Sequence, residues 1–145
     1  MTIPRGTLIL VCDGRKALLL TNQGDQDLPD IRVTEVIEAA ANPSTSDQGT
    51  DRPGRLGVGP SGRVAADQTD WHRRAEKDFA TQLAALLEAR QHASKRPLII
   101  AAAPGMLGDL RRELSAAVAK SVIAEFDRDL VNQPLVEIER VLMGD

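Results

Sequence analysis

The sequence has no tyrosine, and its only aromatic residues are two phenylalanines and one tryptophan. Proteins that hold single-stranded nucleic acid without base preference stack the bases on aromatic side chains, so the composition argues against such a platform. The single cysteine, Cys12, excludes an internal disulfide and is ordinary in a reducing compartment. No apolar run approaches the roughly 20 residues of a membrane span, and Leu8–Cys12 is too short for a signal-peptide core. We therefore expect a cytoplasmic protein with no membrane partner.

The chain also lacks an excess of positive charge, since its formal net charge is −3 at pH 7. Proteins that coat nucleic acid are usually basic, which argues against that class. The charge is nevertheless unevenly distributed. Between Asp51 and Arg74 five arginines face three aspartates, a local balance of +2, so the remaining residues carry −5. This asymmetry permits a local phosphate-binding surface on an acidic body.

Short apolar or alternating runs predict five strands. The Asp13-Gly14 pair predicts a tight hairpin turn between the first two, because glycine accepts the positive φ of such turns. The last run could also extend the preceding helix, but the alternation of its apolar residues favours a strand. The predicted strands are Thr7–Cys12, Lys16–Thr21, Ile31–Ile37, Leu98–Ala103 and Ser121–Phe126.

Apolar residues at spacings of three and four predict three helices. The first is predicted from Trp71 to Arg90 with Asp70 as its N-cap, the second over Met106–Ala117, and the third after Asn132. The resulting order, β-β-β-α-β-α-β-α, is the connectivity of ribonuclease H-like domains. We expect one α/β domain over residues 1–145, with a mixed five-stranded sheet and helices on both faces.

From about residue 42 to 69 the sequence has no periodic apolar pattern and is rich in glycine, proline and arginine. So long an unstructured loop is uncommon in a compact domain unless it is functional or disordered. Glycine-rich turns can aim backbone N–H groups at an anion, and arginine side chains match phosphate oxygens. A solvated loop whose arginines pair with nearby aspartates is the alternative. The candidate RNA- or phosphate-binding residues are Arg52, Arg55, Arg63 and Arg73.

The sequence offers little for catalysis or for a metal or cofactor. Ribonuclease H-like order raises the hypothesis of a nuclease, which needs carboxylates gathered around two metal ions. The fourth strand, however, runs into residues 101–105 without an acid, and the turn explains Asp13. His72, His92 and Cys12 lack zinc-ligand spacing. We therefore predict no catalytic residue, metal or cofactor, although enzymatic activity stays open.

Several segments together resemble one bacterial family. They are Val11-Cys12-Asp13-Gly14, Asp51-Arg52-Pro53-Gly54-Arg55, Phe79-Ala80, Ala102-Ala103-Pro104, Leu107-Gly108-Asp109-Leu110-Arg111 and Asp129-Leu130. The family is that of the host-attachment proteins, described as required for attachment to host cells. It is in turn similar to the middle domain of eukaryotic and archaeal class-I translation release factors, which carries a basic, glycine-rich loop between its third strand and first helix.

This resemblance implies a release-factor middle-domain fold and contact with RNA or ribosomes. The release-factor loop presents a Gly-Gly-Gln tripeptide to the peptidyl-transferase centre, and this chain contains no such tripeptide. The leading hypothesis is therefore a non-catalytic binding module associated with RNA or the ribosome. The alternatives are a protein-interaction or regulatory adaptor with an indirect role in host attachment, and a hydrolase of peptidyl-tRNA or nucleic acid.

Overall fold

The computed structural model describes residues 1–39 and 61–144, and only the backbone of residues 61–69. Its strands and helices alternate as an α/β fold. In chain order they are β1 Leu8–Cys12, β2 Lys16–Asn22, β3 Ile31–Glu38, α1 Ser61–Ala93, β4 Leu98–Ala102, α2 Pro104–Glu113, α3 Ala116–Ser121, β5 Val122–Phe126 and α4 Leu135–Met143.

The described strands form one sheet in the order β3-β2-β1-β4-β5. β2 pairs antiparallel with both β1 and β3, whereas β4 pairs in parallel with both β1 and β5. The antiparallel pairs are joined by residues 13–15 and 23–30, whereas the parallel pairs need crossovers, which the helices after β3 and β4 supply. The predicted mixed five-stranded sheet is confirmed, and so is the choice of a strand over a helix for β5.

The predicted β1–β2 turn forms, but Gly14 does not adopt the positive φ on which the prediction was based. Asp13 follows β1, and its Oδ1 accepts hydrogen bonds from the backbone N–H groups of Arg15 (2.8 Å) and Lys16 (2.7 Å). An aspartate at a turn commonly holds its own backbone in this way. Asp13 therefore has a structural role that accounts for its presence at the end of β1.

The sheet carries a hydrophobic core on each face. Alternate side chains of β1 point to opposite faces, so Leu10 packs with the core under α1, α2 and α3 while Ile9 packs with the core under α4. Every residue of β1 and of β4 is buried, as expected for strands covered on both faces. Helices on both faces, the predicted arrangement, are confirmed.

The start of α1 corrects two predictions. The helix begins at Ser61, so the part of the predicted 42–69 loop from 61 onward is helical, and Asp70 lies inside the helix instead of capping it. Ala65 and Ala66 are strong helix formers, and the single Gly62 costs only about 1 kcal/mol relative to alanine. The rest of the predicted loop lies outside the described residues.

The second predicted helix is two helices. Leu114 and Ser115 adopt extended backbone (ψ 138° and 161°) between α2 and α3, and Ser115 Oγ accepts a hydrogen bond from the Val118 N–H at 3.2 Å. Serine favours such an N-cap because its hydroxyl competes for backbone donors. The apolar spacing continues through the break, which is why periodicity alone predicted one helix over Met106–Ala117.

Replacing Ser115 with alanine tests this break. Ser115 Oγ also hydrogen-bonds Glu88 Oε2 at 2.5 Å, so Ser115→Ala removes both the cap and a link to α1. We expect a loss of about 1 kcal/mol in the free energy of unfolding, measured by urea denaturation. Ser121→Ala, at the far end of α3, is the matched control and should change little. Equal losses for the two variants would contradict the capping role.

Candidate functional site

The carboxyl ends of β1 and β4 lie at the same end of the sheet, because the two strands run in parallel. We call this end the sheet edge, as distinct from the outer strands β3 and β5. α1 passes this edge at the β1–β2 turn, where a Cβ atom added to Gly14 would approach Glu76 Cγ to 2.7 Å. Ala39, which ends the first described range, donates its N–H to the Arg15 carbonyl of the same turn at 2.7 Å. The end of β3 and the middle of α1 therefore meet at this edge.

α1 extends well beyond the core. Among its described side chains the buried ones begin at Phe79 and continue to Gln91, whereas residues 70–78 are exposed or half-buried. At 1.5 Å per residue, about 27 Å of helix precedes Phe79. Among the described side chains of α1, the fully buried ones therefore lie in its second half, and residues 70–78 contact the rest of the protein near the sheet edge.

One of these contacts is an ion pair between α1 and α2. Arg73 Nη1 donates to Asp109 Oδ2 at 2.6 Å, and Arg73 Nη2 donates to Asp109 Oδ1 at 2.8 Å. Arg112, one turn further along α2, also donates to Asp109 Oδ1. The Asp109 side chain is 3% exposed, so it is a buried carboxylate held by two guanidinium groups. Such fork-shaped pairing fixes direction as well as distance.

The two arginines set the electrostatics of the cluster. The hydrogen bonds from Arg73 lower the pKa of the Asp109 carboxyl below its usual value. The charge of Arg73 and the hydrogen bond and charge of Arg112 act in the same direction, whereas burial acts in the opposite direction. The same pairing raises the pKa of Arg73 above its usual value. Asp109 and Arg73 are therefore both charged at neutral pH.

Arg73 is held by Asp109, but this contact occupies only part of its hydrogen-bonding capacity. Its guanidinium carries five N–H donors, of which two bind Asp109, and its Nη1 lies 3.7 Å from Glu76 Oε1. The Arg73 side chain is 43% exposed, and that of Arg112 is 64% exposed. The cluster thus presents two fixed, partly exposed guanidinium groups at the sheet edge. Arg73, Arg112, Asp109 and Glu76 sum to a formal charge of zero. An anion at this site would therefore be held by the remaining guanidinium N–H donors and not by a net positive charge.

Comparison with known families identifies the chain. A family model described as "Protein required for attachment to host cells" matches residues 8–142. The chain belongs to this family. The match runs from β1 into α4 and includes the Arg73–Asp109 cluster, and the family membership predicted from the residues is confirmed. No curated protein matches this host-attachment family chain.

The structure describes only one of the four predicted binding side chains in this host-attachment family member. Arg73 lies on α1 in the cluster with Asp109. Arg63 belongs to the first turn of α1, but its side chain is outside the described residues, and so are Arg52 and Arg55. Their role in binding stays a prediction.

Sequence reasoning missed Asp109 and Arg112. A signal for Asp109 was present, because Met106 and Leu110 place it on the apolar face of α2, where a charge needs a partner. That partner is Arg73, 36 residues earlier in the chain. Nothing in the local pattern identifies which distant cation fills that role.

The described part of the chain shows no assembled chemical centre. Within it no three side chains of the types that bind metals come together, and no helix has the length and apolar character to cross a membrane. Cys12 is buried, and burial, followed by the charges of Asp13 and Asp129, raises its pKa to about 12. Its sulfur is therefore a neutral thiol that packs in the core, not a nucleophile at neutral pH.

The Asp109 cluster predicts a specific dependence of stability on pH. A carboxyl with a lowered folded-state pKa stabilises the protein above its unfolded pKa of about 3.9, and that stabilisation is lost as the pH falls through the folded pKa. Asp109→Asn should lower the free energy of unfolding by about 2 kcal/mol at pH 7. The variant should also lose less stability than the wild type between pH 5 and acid conditions.

Urea denaturation at a series of pH values measures this difference. Asp78→Asn is the matched control, because Asp78 is an exposed aspartate on α1 with no ion-pair partner among the described residues. Parallel acid profiles for wild type and Asp109→Asn would contradict the assignment of Asp109 as a charged anchor.

Proposed function

We propose that this host-attachment family protein is a non-catalytic module that binds RNA phosphates, in free RNA or in the ribosome, through Arg52, Arg55, Arg63 and Arg73. The observation that carries the proposal is the state of Arg73, which is fixed by buried Asp109 and still 43% exposed. A guanidinium held in this way has N–H donors beyond the two that bind Asp109.

Fixing the arginine in advance favours binding. A free arginine side chain loses conformational entropy when it contacts a phosphate, and this loss reduces affinity. The fork of hydrogen bonds from Arg73 to Asp109 already restricts the side chain in the folded protein. An incoming phosphate therefore orders fewer degrees of freedom at Arg73 than at an unpaired surface arginine.

The charge distribution of the sequence supports the same function. The stretch from Asp51 to Arg74 carries +2 on a chain of net charge −3. A basic segment on an acidic body draws a polyanion to that segment and disfavours contact elsewhere. The sequence resemblance to the release-factor middle domain implies contact with RNA or ribosomes, so we propose RNA as the polyanion.

The proposed mode of binding is tolerant of base sequence. Phosphate contacts orient a protein on nucleic acid without reading bases, and three aromatic residues in the whole chain leave little for stacking. Four arginine–phosphate contacts on single-stranded RNA would give a slope of about −3 for log affinity against log salt. Binding should therefore weaken steeply with ionic strength and vary little among sequences.

The test compares the wild type with the variant Arg52→Ala/Arg55→Ala/Arg63→Ala/Arg73→Ala. Fluorescence anisotropy with labelled single-stranded and hairpin RNA measures affinity, and co-sedimentation at low salt measures binding to ribosomes. The quadruple variant should bind at least about tenfold more weakly and lose most of the salt dependence. A variant that retains Arg73 and changes only the other three separates their contribution from any loss of stability.

The matched control removes four positive charges elsewhere. Arg5, Lys95, Lys120 and Arg128 are exposed residues outside the proposed site, and their joint replacement by alanine should leave most of the affinity. Equal weakening of both variants, or no binding of RNA or ribosomes by the wild type, would rule out the proposal.

A protein-interaction or regulatory adaptor is the second candidate. The observation that favours it is the exposure of Val33 (43%) and Val36 (58%) on the outermost strand β3, since exposed apolar patches often mark protein contacts. Partner binding that survives ribonuclease treatment and moderate salt would favour the adaptor over the RNA-binding module.

A further inference from the structure

β3 is an outer strand of the sheet that the described residues form. It has eight residues and is longer than the five-residue β5 at the opposite edge. Val33 and Val36 lie on it and are 43% and 58% exposed. Natural proteins usually cover or shorten such an edge, because its free backbone groups can pair with another strand.

The hydrogen bonds of the sheet show which residues of β3 face outward. Ala39 donates its N–H to the Arg15 carbonyl, and Gln23 donates its N–H to the Asp30 carbonyl, which fixes the phase of the ladder at both ends of β3. Because backbone groups along a strand point alternately to either side, the residues whose N–H and C=O groups bond to β2 are Arg32, Glu35 and Ile37. The residues whose backbone N–H and C=O groups point away from β2, called outward residues below, are then Ile31, Val33, Val36 and Glu38.

The irregularity in the ladder makes this outward pattern symmetric. The register between β2 and β3 shifts between Leu19 and Leu20, where Thr34 is the extra residue on β3. The outward residues therefore fall at 31 and 33 on one side and at 36 and 38 on the other. A two-fold rotation centred between Thr34 and Glu35 exchanges position 31 with 38 and position 33 with 36. No other centre along β3 maps all four outward residues onto one another.

We propose that β3 pairs antiparallel with β3 of a second copy of this chain, about a two-fold axis between Thr34 and Glu35. Val33 then lies opposite the partner's Val36, and this apolar pair occurs twice. Ile31 lies opposite the partner's Glu38. The two sheets become one continuous sheet of ten described strands.

Side-chain chemistry agrees with this pairing. β-Branched residues opposite each other stabilise antiparallel strands. Leu18 of β2 is half-buried, pairs with Val36 of β3 and extends the apolar surface on the same face of the sheet. Arg32 lies diagonally across from the partner's Glu35, so opposite charges approach each other twice. No two like charges are directly opposed in this register.

Glu35 is already held in place for this role. Arg90 of α1 donates from Nε and Nη2 to the two carboxylate oxygens of Glu35, both at 2.7 Å. This pairing lowers the pKa of Glu35 and reduces the negative charge near the proposed axis. A bulge often discourages pairing at an edge, but a bulge at the axis leaves a regular stretch on each side of it.

The test is the oligomeric state of the full chain, measured by sedimentation velocity and light scattering over a range of concentrations. The wild type should populate a dimer that dissociates on dilution. Val33→Lys/Val36→Lys places lysine opposite lysine, and Val33→Glu/Val36→Glu places glutamate opposite glutamate, so each variant alone should be monomeric. An equimolar mixture places lysine opposite glutamate and should restore the dimer mass.

The control variant is Leu28→Lys/Val136→Lys, which alters two exposed apolar residues outside β3 and should keep the wild-type mass. Circular dichroism confirms that each variant is folded. Amide exchange on the wild type should show slowed exchange at Val36 and Glu38 as the concentration rises. A wild type that is monomeric throughout, a dimeric lysine variant, or a mixture that stays monomeric would overturn the proposal.

Discussion

A carboxylate buried between two helices is the constraint on which the described site depends. Asp109 is almost fully removed from solvent, and a charge in that position is strongly unfavourable without a partner. Arg73 reaches it from α1 and Arg112 reaches it from α2. The Arg73–Asp109 pair therefore links α1 to α2 near the sheet edge, six residues before the first buried side chain described on α1.

The same ion pair links the fold to the proposed function. The parallel pairing of β1 with β4 brings the β1–β2 turn and the start of α2 to one edge, and α1 extends past that edge toward its first residue. Arg73 lies six residues before Phe79, the first buried side chain described on α1. The basic residues that precede Arg73 in sequence are thereby connected to a rigid, predominantly acidic domain, which is the charge contrast that RNA binding would use.

Much of the fold follows from short-range patterns. β1 and β4 are uninterrupted apolar runs because both faces are covered, and such runs are readable from composition and length. Helix boundaries were less predictable. The break before Ser115 depends on one hydroxyl capping α3, and the early start of α1 depends on helix formers that overcome a glycine, so neither alters the apolar period.

The site was predictable only in part, for a different reason. Arg73 was recognised as a cation near a basic segment, but its partner Asp109 is distant in sequence and becomes a neighbour only when α1 and α2 pack on the same face. A charge on the apolar face of α2 indicates that some cation must approach. Which cation does so is decided by the crossing of two helices, and local sequence does not encode that directly.

The most direct measurement is a double-mutant cycle on the Arg73–Asp109 pair. The free energy of unfolding is determined for wild type, Arg73→Ala, Asp109→Ala and the double variant. If the pair anchors α1, the double variant should be clearly more stable than the sum of the single losses predicts, by more than the ~0.5 kcal/mol within which independent sites add. Additive losses would contradict the central role given to this ion pair.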